Sequence, residues 1–247
     1  MNAAAPVFLP LDWPLPAGVH ARVTTRQGGH SAAPYDSLNL GTHVGDDAQA
    51  VHANRQSLRA HLPAEPAWLN QVHGVAVADA AQVGAPIDAD AAVAHAAGIV
   101  CAVMTADCLP VLLARRDGQV VAAAHAGWRS LVGGVLEATV ARMGGAGEAL
   151  TAYLGPAIGP DRFEVGPEVR DAFMRHDAVA AKAFRAGQGD RWLADIYLLA
   201  RQRLHAMGIA PDAIYGGHLC TVTDSSRFFS YRRDGKTGRM AALIWRV

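Results

Sequence analysis

Polar and apolar residues alternate through VHARVTTRQGG, with Val19, Ala21 and Val23 on one side, and predict a strand that ends at Gly28-Gly29. A loop follows through SAAPYDSLNLGTHVGDD. The spacing then becomes helical: Val51, Leu58 and Leu62 recur on one face of AQAVHANRQSLRAHL, with Asp46 or Asp47 as the cap. AWLNQVHGVAVADA predicts one or two strands around Gly74. GIVCAVMTA reads as a strand and ADC as a break. LPVLLARRDGQVVAAAHAG reads as two strands joined at Asp117-Gly118, a dipeptide suited to a tight hairpin turn.

Ser130 is the expected cap of a helix, LVGGVLEATVARM, that stops at Gly144-Gly145. LTAYLGPAIGP predicts a strand running into a Gly/Pro loop, and Pro167 opens a helix through PEVRDAFMRHD. Asp195 starts another, IYLLARQRLHAM, closed by Gly208. The strand-like IYGGHLCTV and MAALIWRV flank a loop, SSRFFSYRRDGKTGR. Strands and helices alternate without a repeat, so the fold class expected is α/β (α+β), a layered domain with mixed β-sheets flanked by helices. A chain of 247 residues fits one such domain spanning 1–247.

Composition narrows the partners. The chain is 51% hydrophobic and only 18% charged, which supports a large core, and its 22 basic residues match its 22 acidic ones. With no basic stripe there is no footprint for nucleic acid or an anionic membrane, and a small-molecule partner is expected. The apolar stretch 91–113 is interrupted by His95, Asp107 and Pro110 and reads as successive strands, a poor membrane span. The opening MNAAAPVFLPLDWPLP is proline-rich and lacks the basic flank of a signal peptide, so a cytoplasmic location is expected. Cys101, Cys108 and Cys220 are too few for a disulfide framework, and any one in use is a ligand or a nucleophile. Neither GxGxxG nor GxxxxGK[ST] occurs, so no nucleotide cofactor is indicated.

The hairpin carries the first chemical expectation. A symmetric turn at Asp117-Gly118 pairs Pro110 with His125 and Cys108 with Gly127, which makes Cys108 and His125 diagonal neighbours on one face. Such diagonals lie about 7–8 Å apart at Cα. That span suits a shared metal, with Zn–S about 2.3 Å and Zn–N about 2.0–2.1 Å, and it equally suits a thiolate–imidazole pair.

Five separated motifs, NQVHG, TADCLPVLL, AHAGWRS, GPAIGP followed by FEVG, and FFSYRRDGKTGRMAALIW, resemble in order the YfiH-like laccase-domain family. The resemblance reaches back to TTRQGGHSAAPYDSLNLGTHVGDD and Asn54-Arg55 and covers nearly the whole chain. It implies a zinc-dependent purine nucleoside enzyme that phosphorolyses adenosine, inosine and methylthioadenosine and deaminates adenosine. The zinc ligands it implies are the histidine of QVHG, the cysteine of ADC and the histidine of AHAGW, here His73, Cys108 and His125. Two imidazoles and a thiolate leave a fourth tetrahedral position open, the mark of a catalytic rather than a structural zinc.

Deamination needs a carboxylate to shuttle protons; Asp107 is nearest and Glu164 second, while a turn role competes for Asp107. Phosphorolysis needs cations beside the ribose carbon. Arg129, at the start of the helix expected from Ser130, is well placed at a helix N-terminus, and Arg26, Arg232 and Arg233 are further candidates against structural ion-pair roles. His20, His30, His43, His52 and His218 show no ligand spacing and are read as surface or loop residues. An older reading of the family is as copper polyphenol oxidases, but the paired HxH motifs of multicopper clusters are missing from this sequence. Two rivals stay open: a cysteine hydrolase using Cys108 with His125 as base, and a binding domain with a structural zinc.

Overall fold

The computed structural model describes residues 5–247. The first part of the chain runs β1 (Val19–Val23), α1 (Ala48–Arg59), β2 (Pro66–Ala67), β3 (Val77–Asp79), β4 (Ala91–Ala94), β5 (Val100–Thr105), β6 (Leu109–Arg115) and β7 (Val121–Ala126). The middle adds α2 (Trp128–Gly133), α3 (Val135–Met143), β8 (Leu150–Leu154), β9 (Glu164–Val165), α4 (Pro167–His176), β10 (Phe184–Ala186) and β11 (Trp192–Ala194). The last part is α5 (Ile196–Ala206), β12 (Ile214–Gly216), α6 (Tyr231–Asp234) and β13 (Met240–Arg246).

Strands that read as unbroken apolar runs are buried on both faces, as such runs require. A six-stranded mixed sheet, ordered β12-β8-β6-β7-β4-β3, packs against a four-stranded sheet, β1-β13-β5-β2. Residues of alternate parity sort cleanly between layers. Val93, Val111, Leu113, Ala122 and Ala124 face the core under α2 to α5, whereas Ala92, Ala94, Leu112, Ala114 and Ala123 face the space between the sheets. From the other sheet, Cys101, Val103, Met240, Ala242 and Ile244 fill that space, and Val100, Ala102, Leu243 and Trp245 turn outward onto Leu58 of α1. Each fully buried aliphatic side chain contributes about 1.5–3 kcal/mol. The alanines of β4 and β7 keep the two sheets close. The layered α/β expectation therefore holds, and among the described residues no helix is long and apolar enough to cross a membrane.

The hairpin register is the one the turn predicts: Pro110 faces His125 and Leu109 faces Ala126. Gly118 has φ 71°, the left-handed conformation the turn demands. Asp47, not Asp46, caps α1, accepting from Gln49 N. Leu62 lies beyond that helix but is buried, packing under it.

Three local expectations are corrected. Ser130 is not a cap but a buried residue inside α2, which starts at Trp128 after Gly127. The expected single helix breaks at Gly134, whose φ of 103° ends α2 and starts α3, because the Gly133-Gly134 pair permits a left-handed residue there. The expected strand IYGGHLCTV stops at Gly216, because Gly216 and Gly217 both have positive φ.

Candidate metal centre

His73, Cys108 and His125 arrive from three places at one end of the space between the sheets. His125, next to last in β7, points by its parity with Val121 and Ala123 toward the four-stranded sheet. Cys108 stands in the turn between β5 and β6, immediately before Leu109. His73 lies on the loop between β2 and β3. One donor atom from each falls within 4.8 Å of the others, and among the described residues this is the one cluster of three such side chains. Cys108 Sγ is 3.8 Å from His73 Nε2, and the two imidazole rings meet edge to face at 4.8 Å between centroids.

The backbone is bent to make this meeting. His73 and Asp107 are the two non-glycine residues with positive φ among those described, at 60° and 92°. Such positions cost about 1–3 kcal/mol each and persist only where surrounding contacts over-determine them. Gln71 fixes the His73 loop to β5: its amide donates to Met104 O at 2.8 Å and accepts from Met104 N at 2.7 Å. Buried Asp90, just ahead of β4, accepts from the main-chain N–H groups of Val72, His73 and Gly74 and from His125 Nδ1.

The donor set fits a metal. With Nδ1 committed to Asp90, His125 presents Nε2, as metal-bound imidazoles do when a carboxylate holds the other nitrogen. Gly127 leaves the space between the ligands clear: a Cβ there would lie 3.0 Å from Cys108 Sγ, 3.1 Å from His73 Cδ2 and 3.4 Å from His125 Cε1. Burial raises the Cys108 thiol, but the charge and hydrogen bonds of His125 and His73 outweigh it and lower it, so the sulfur is disposed to be a thiolate. Burial lowers His125, and the Cys108 thiolate and Asp90 outweigh that and raise it. Two nitrogens and one sulfur of this kind suit zinc.

Two cavities meet at His73 and Cys108. The larger, about 390 Å³, is lined by His43, Gln71, Met104, Tyr231 and Arg239 together with His73, Cys108 and His125. Burial lowers the pKa of His43, and so do the charges of Arg239 and Arg55. This lobe therefore sets an imidazole whose protonation is disfavoured beside the Arg239 guanidinium. Arg239 is braced by Nη1 donating to the carbonyls of Thr237 and Gly238. The smaller cavity, about 250 Å³, shares His73, Cys108 and Tyr231 and is lined by the apolar Trp128, Ile158 and Phe163 and by the charged Asp107, Arg129 and Arg232.

The residues singled out in the sequence thus separate. Asp107 lies in the wall of the smaller cavity with its carboxylate engaged, Oδ1 accepting from Thr221 Oγ1 and Oδ2 from Arg232 N, both at 2.6 Å. Arg129 and Arg232 border the same cavity, their guanidinium groups over the rings of Trp128 and Phe163. Glu164 is exposed, and its main-chain carbonyl accepts from Arg232 Nη1. Arg26 lies in a separate surface cleft, bonded to Asp36 and Ser225. Arg233 braces the loop ahead of it, donating to the carbonyls of Thr221, Val222 and Phe228. Asp90, Gln71, Tyr231 and Arg239 were not singled out by sequence reasoning, and His43, read as a loop residue, stands on the wall of the larger cavity.

A model of the multi-copper polyphenol oxidoreductase laccase family matches residues 20–247. A purine nucleoside phosphorylase of Pseudomonas aeruginosa is 54% identical over 246 residues, covering 99% of each chain. The purine nucleoside phosphorylase YfiH of Escherichia coli is 55% identical over 239 residues, 96% of this chain and 97% of that one. Among solved structures, a Neisseria meningitidis protein at 52% identity superposes with a TM-score of 0.93 over 97% of this chain and 98% of that one. YlmD of Geobacillus stearothermophilus, at 32% identity, gives 0.91 over 97% and 96%. The match runs through the two packed sheets and all three ligand-bearing segments, and the chain belongs to this YfiH-like laccase family.

Proposed function

We propose that this chain is a zinc-dependent purine nucleoside phosphorylase that accepts adenosine, inosine and methylthioadenosine and also deaminates adenosine. The observation that carries the reading is the convergence of His73, Cys108 and His125 on a cavity whose wall holds Arg239. The names of the relatives from Pseudomonas aeruginosa and Escherichia coli support the phosphorolytic part.

Zinc, when bound, supplies Lewis acidity for polarising a substrate group or activating water. The protein supplies the rest. Phosphorolysis breaks the bond from ribose C1′ to the purine nitrogen and forms one from C1′ to a phosphate oxygen, and the departing base takes up a proton. Phosphate must therefore be held beside C1′, and Arg239 with the charge of nearby Arg55 is suited to hold it in the larger cavity. The apolar wall of Trp128, Ile158 and Phe163 suits the base or the ribose face in the smaller one. Deamination adds water at the purine carbon that carries the amino group and releases ammonia. We assign the proton transfer to Asp107, which lines the smaller cavity and would have to release the Thr221 hydroxyl or Arg232 N that its oxygens now bind, whereas Glu164 lines neither cavity.

One observation favours a second reading. Cys108, His125 and Asp90 also form a nucleophile, base and orienting carboxylate, and the lowered thiol suits a cysteine hydrolase. The test is incubation of metal-quantified protein with adenosine, with and without phosphate, resolving adenine, inosine and hypoxanthine. Phosphate-dependent adenine release that disappears with the zinc is expected. No purine product at full zinc occupancy would overturn the proposal, and turnover in zinc-free protein would favour the cysteine reading.

A further inference from the structure

Asp90 is fully buried, and its four hydrogen bonds join both imidazole ligands to one carboxylate. Oδ1 accepts from His125 Nδ1 at 2.8 Å and from His73 N at 3.0 Å. Oδ2 accepts from Gly74 N at 2.6 Å and from Val72 N at 3.2 Å. Its main chain adds two more links, donating to Ala76 O at 3.0 Å and accepting from His125 N at 2.7 Å. Three successive N–H groups folded around an anion form a concave nest, a shape that needs a left-handed residue, and here that residue is His73 at φ 60°.

The two ligands therefore share one support. The carboxylate fixes the tautomer of His125, freeing Nε2 for a metal, and the same carboxylate holds the otherwise strained turn that aims His73. Four donors meet the roughly four acceptor positions of an ionised carboxylate, so nothing in this arrangement is spare. An amide of the same shape keeps one oxygen and turns two N–H donors toward groups that are themselves donors.

We propose that Asp90 is the positioning residue of the metal centre, coupling His73 to His125 so that the two imidazoles are set as a unit. The inference rests on the reading of the cluster as a metal site. It concerns how the ligands are held and assigns Asp90 no contact with substrate.

The test compares wild type, Asp90→Asn and Leu136→Ala, the last a core substitution under the six-stranded sheet far in character from the ligands. Zinc affinity is measured by competition with a chromophoric chelator, alongside thermal melting of each metal-free protein. Asp90→Asn is expected to bind zinc 10- to 100-fold more weakly. Leu136→Ala is expected to melt earlier with unchanged affinity. At saturating cobalt, Asp90→Asn should keep the sulfur-to-metal charge-transfer band of Cys108 but alter the visible d–d envelope, because an imidazole is misplaced. A merely structural role would leave that envelope alone.

Amide exchange on the wild-type chain provides a check that needs no variant. The N–H groups of His73 and Gly74 should be protected although their loop is largely exposed. Wild-type zinc affinity and an unchanged cobalt spectrum in Asp90→Asn, or exchange of those amides at the unprotected rate, would overturn the proposal. Failure of the wild-type chain itself to bind zinc would instead remove the metal reading on which it stands.

Discussion

Cys108 Sγ and His73 Nε2 lie 3.8 Å apart, one carried on the turn into β6 and the other on the loop before β3. The two segments share no strand pairing, so their approach is set by what braces each: Gln71 on Met104, and Asp107 with its positive φ immediately before Cys108. The contact makes a definite prediction. Cys108→Ala and His125→Ala should each lose zinc and phosphorolysis together; metal-free Cys108→Ala should melt within a few degrees of metal-free wild type, whereas His125→Ala, which strips buried Asp90 of a partner, should melt lower. Full metal content in either variant, measured by elemental analysis, would contradict the ligand set.

Gly127 is a second probe of the same space. Its φ of −56° suits alanine, so Gly127→Ala strains no backbone. The added methyl would nevertheless sit 3.0 Å from Cys108 Sγ and 3.1 Å from His73 Cδ2. Zinc affinity is expected to fall by about tenfold or more, the scale seen when a ligand is displaced from its best geometry. Near-normal melting of the metal-free variant should accompany that fall. An unchanged affinity would mean that the three donors are not used together.

Arg239 and Arg129 separate the two cavities by kinetics. Loss of a charged hydrogen bond costs about 1.5–3 kcal/mol, roughly a 10- to 150-fold change in binding. Arg239→Gln should raise the KM for phosphate by about that factor and the KM for nucleoside much less. Arg129→Ala should show a smaller effect on phosphate. The reverse order would place phosphate against Trp128, as the sequence alone suggested for Arg129.

The cysteines outside the cluster should differ in reactivity with pH. Burial pushes the Cys101 thiol far above the ordinary range, and it is fully enclosed. Burial would also raise Cys220, but hydrogen bonds from the Thr223 hydroxyl, at 3.2 Å, and Gly159 N, at 3.3 Å, outweigh it and hold the thiol below its usual value. A lowered thiol holds more thiolate than an ordinary one at the same pH, so Cys220 should alkylate faster than an unperturbed cysteine, and its rate should fall as the pH is lowered. Thr223→Val should move the midpoint of that fall upward. Peptide mapping after iodoacetamide treatment reads both, and modification of Cys101 before Cys220 in folded protein would contradict the assignment.

Much of the frame was legible because its signals are local. Asp117-Gly118 fixes a symmetric hairpin, and that hairpin alone puts His125 opposite Pro110; the pairing ends at Leu109 and Ala126, so Cys108 stands in the turn just ahead of the register rather than paired with Gly127. The double burial of β5, β6 and β13 is written as unbroken apolar runs. His73 was different: no pairing rule reaches from the QVHG loop to the hairpin, and only the family resemblance joined it to the other two. Asp90 stayed hidden because an acidic residue ahead of an alanine run reads as a strand boundary, while its partners come from a loop and from the far end of β7. Arg239 and His43 lie nearly two hundred positions apart, and only the closing of β13 between β1 and β5 brings the cation to the cavity. Local glycine chemistry also outran the pattern: Gly133-Gly134 split an apparent helix whose hydrophobic spacing carries on across the break.

On the proposed reading, the two imidazoles and one thiolate hold a single zinc ion where the larger cavity meets the smaller. Anomalous diffraction recorded on either side of the zinc absorption edge, from crystals of protein whose zinc has been quantified, tests it most directly. One peak bonded to His73 Nε2, Cys108 Sγ and His125 Nε2, with no fourth protein ligand, is the predicted result. A peak held by other side chains, a fourth protein ligand closing the site, or zinc in solution with no peak at this cluster would contradict it.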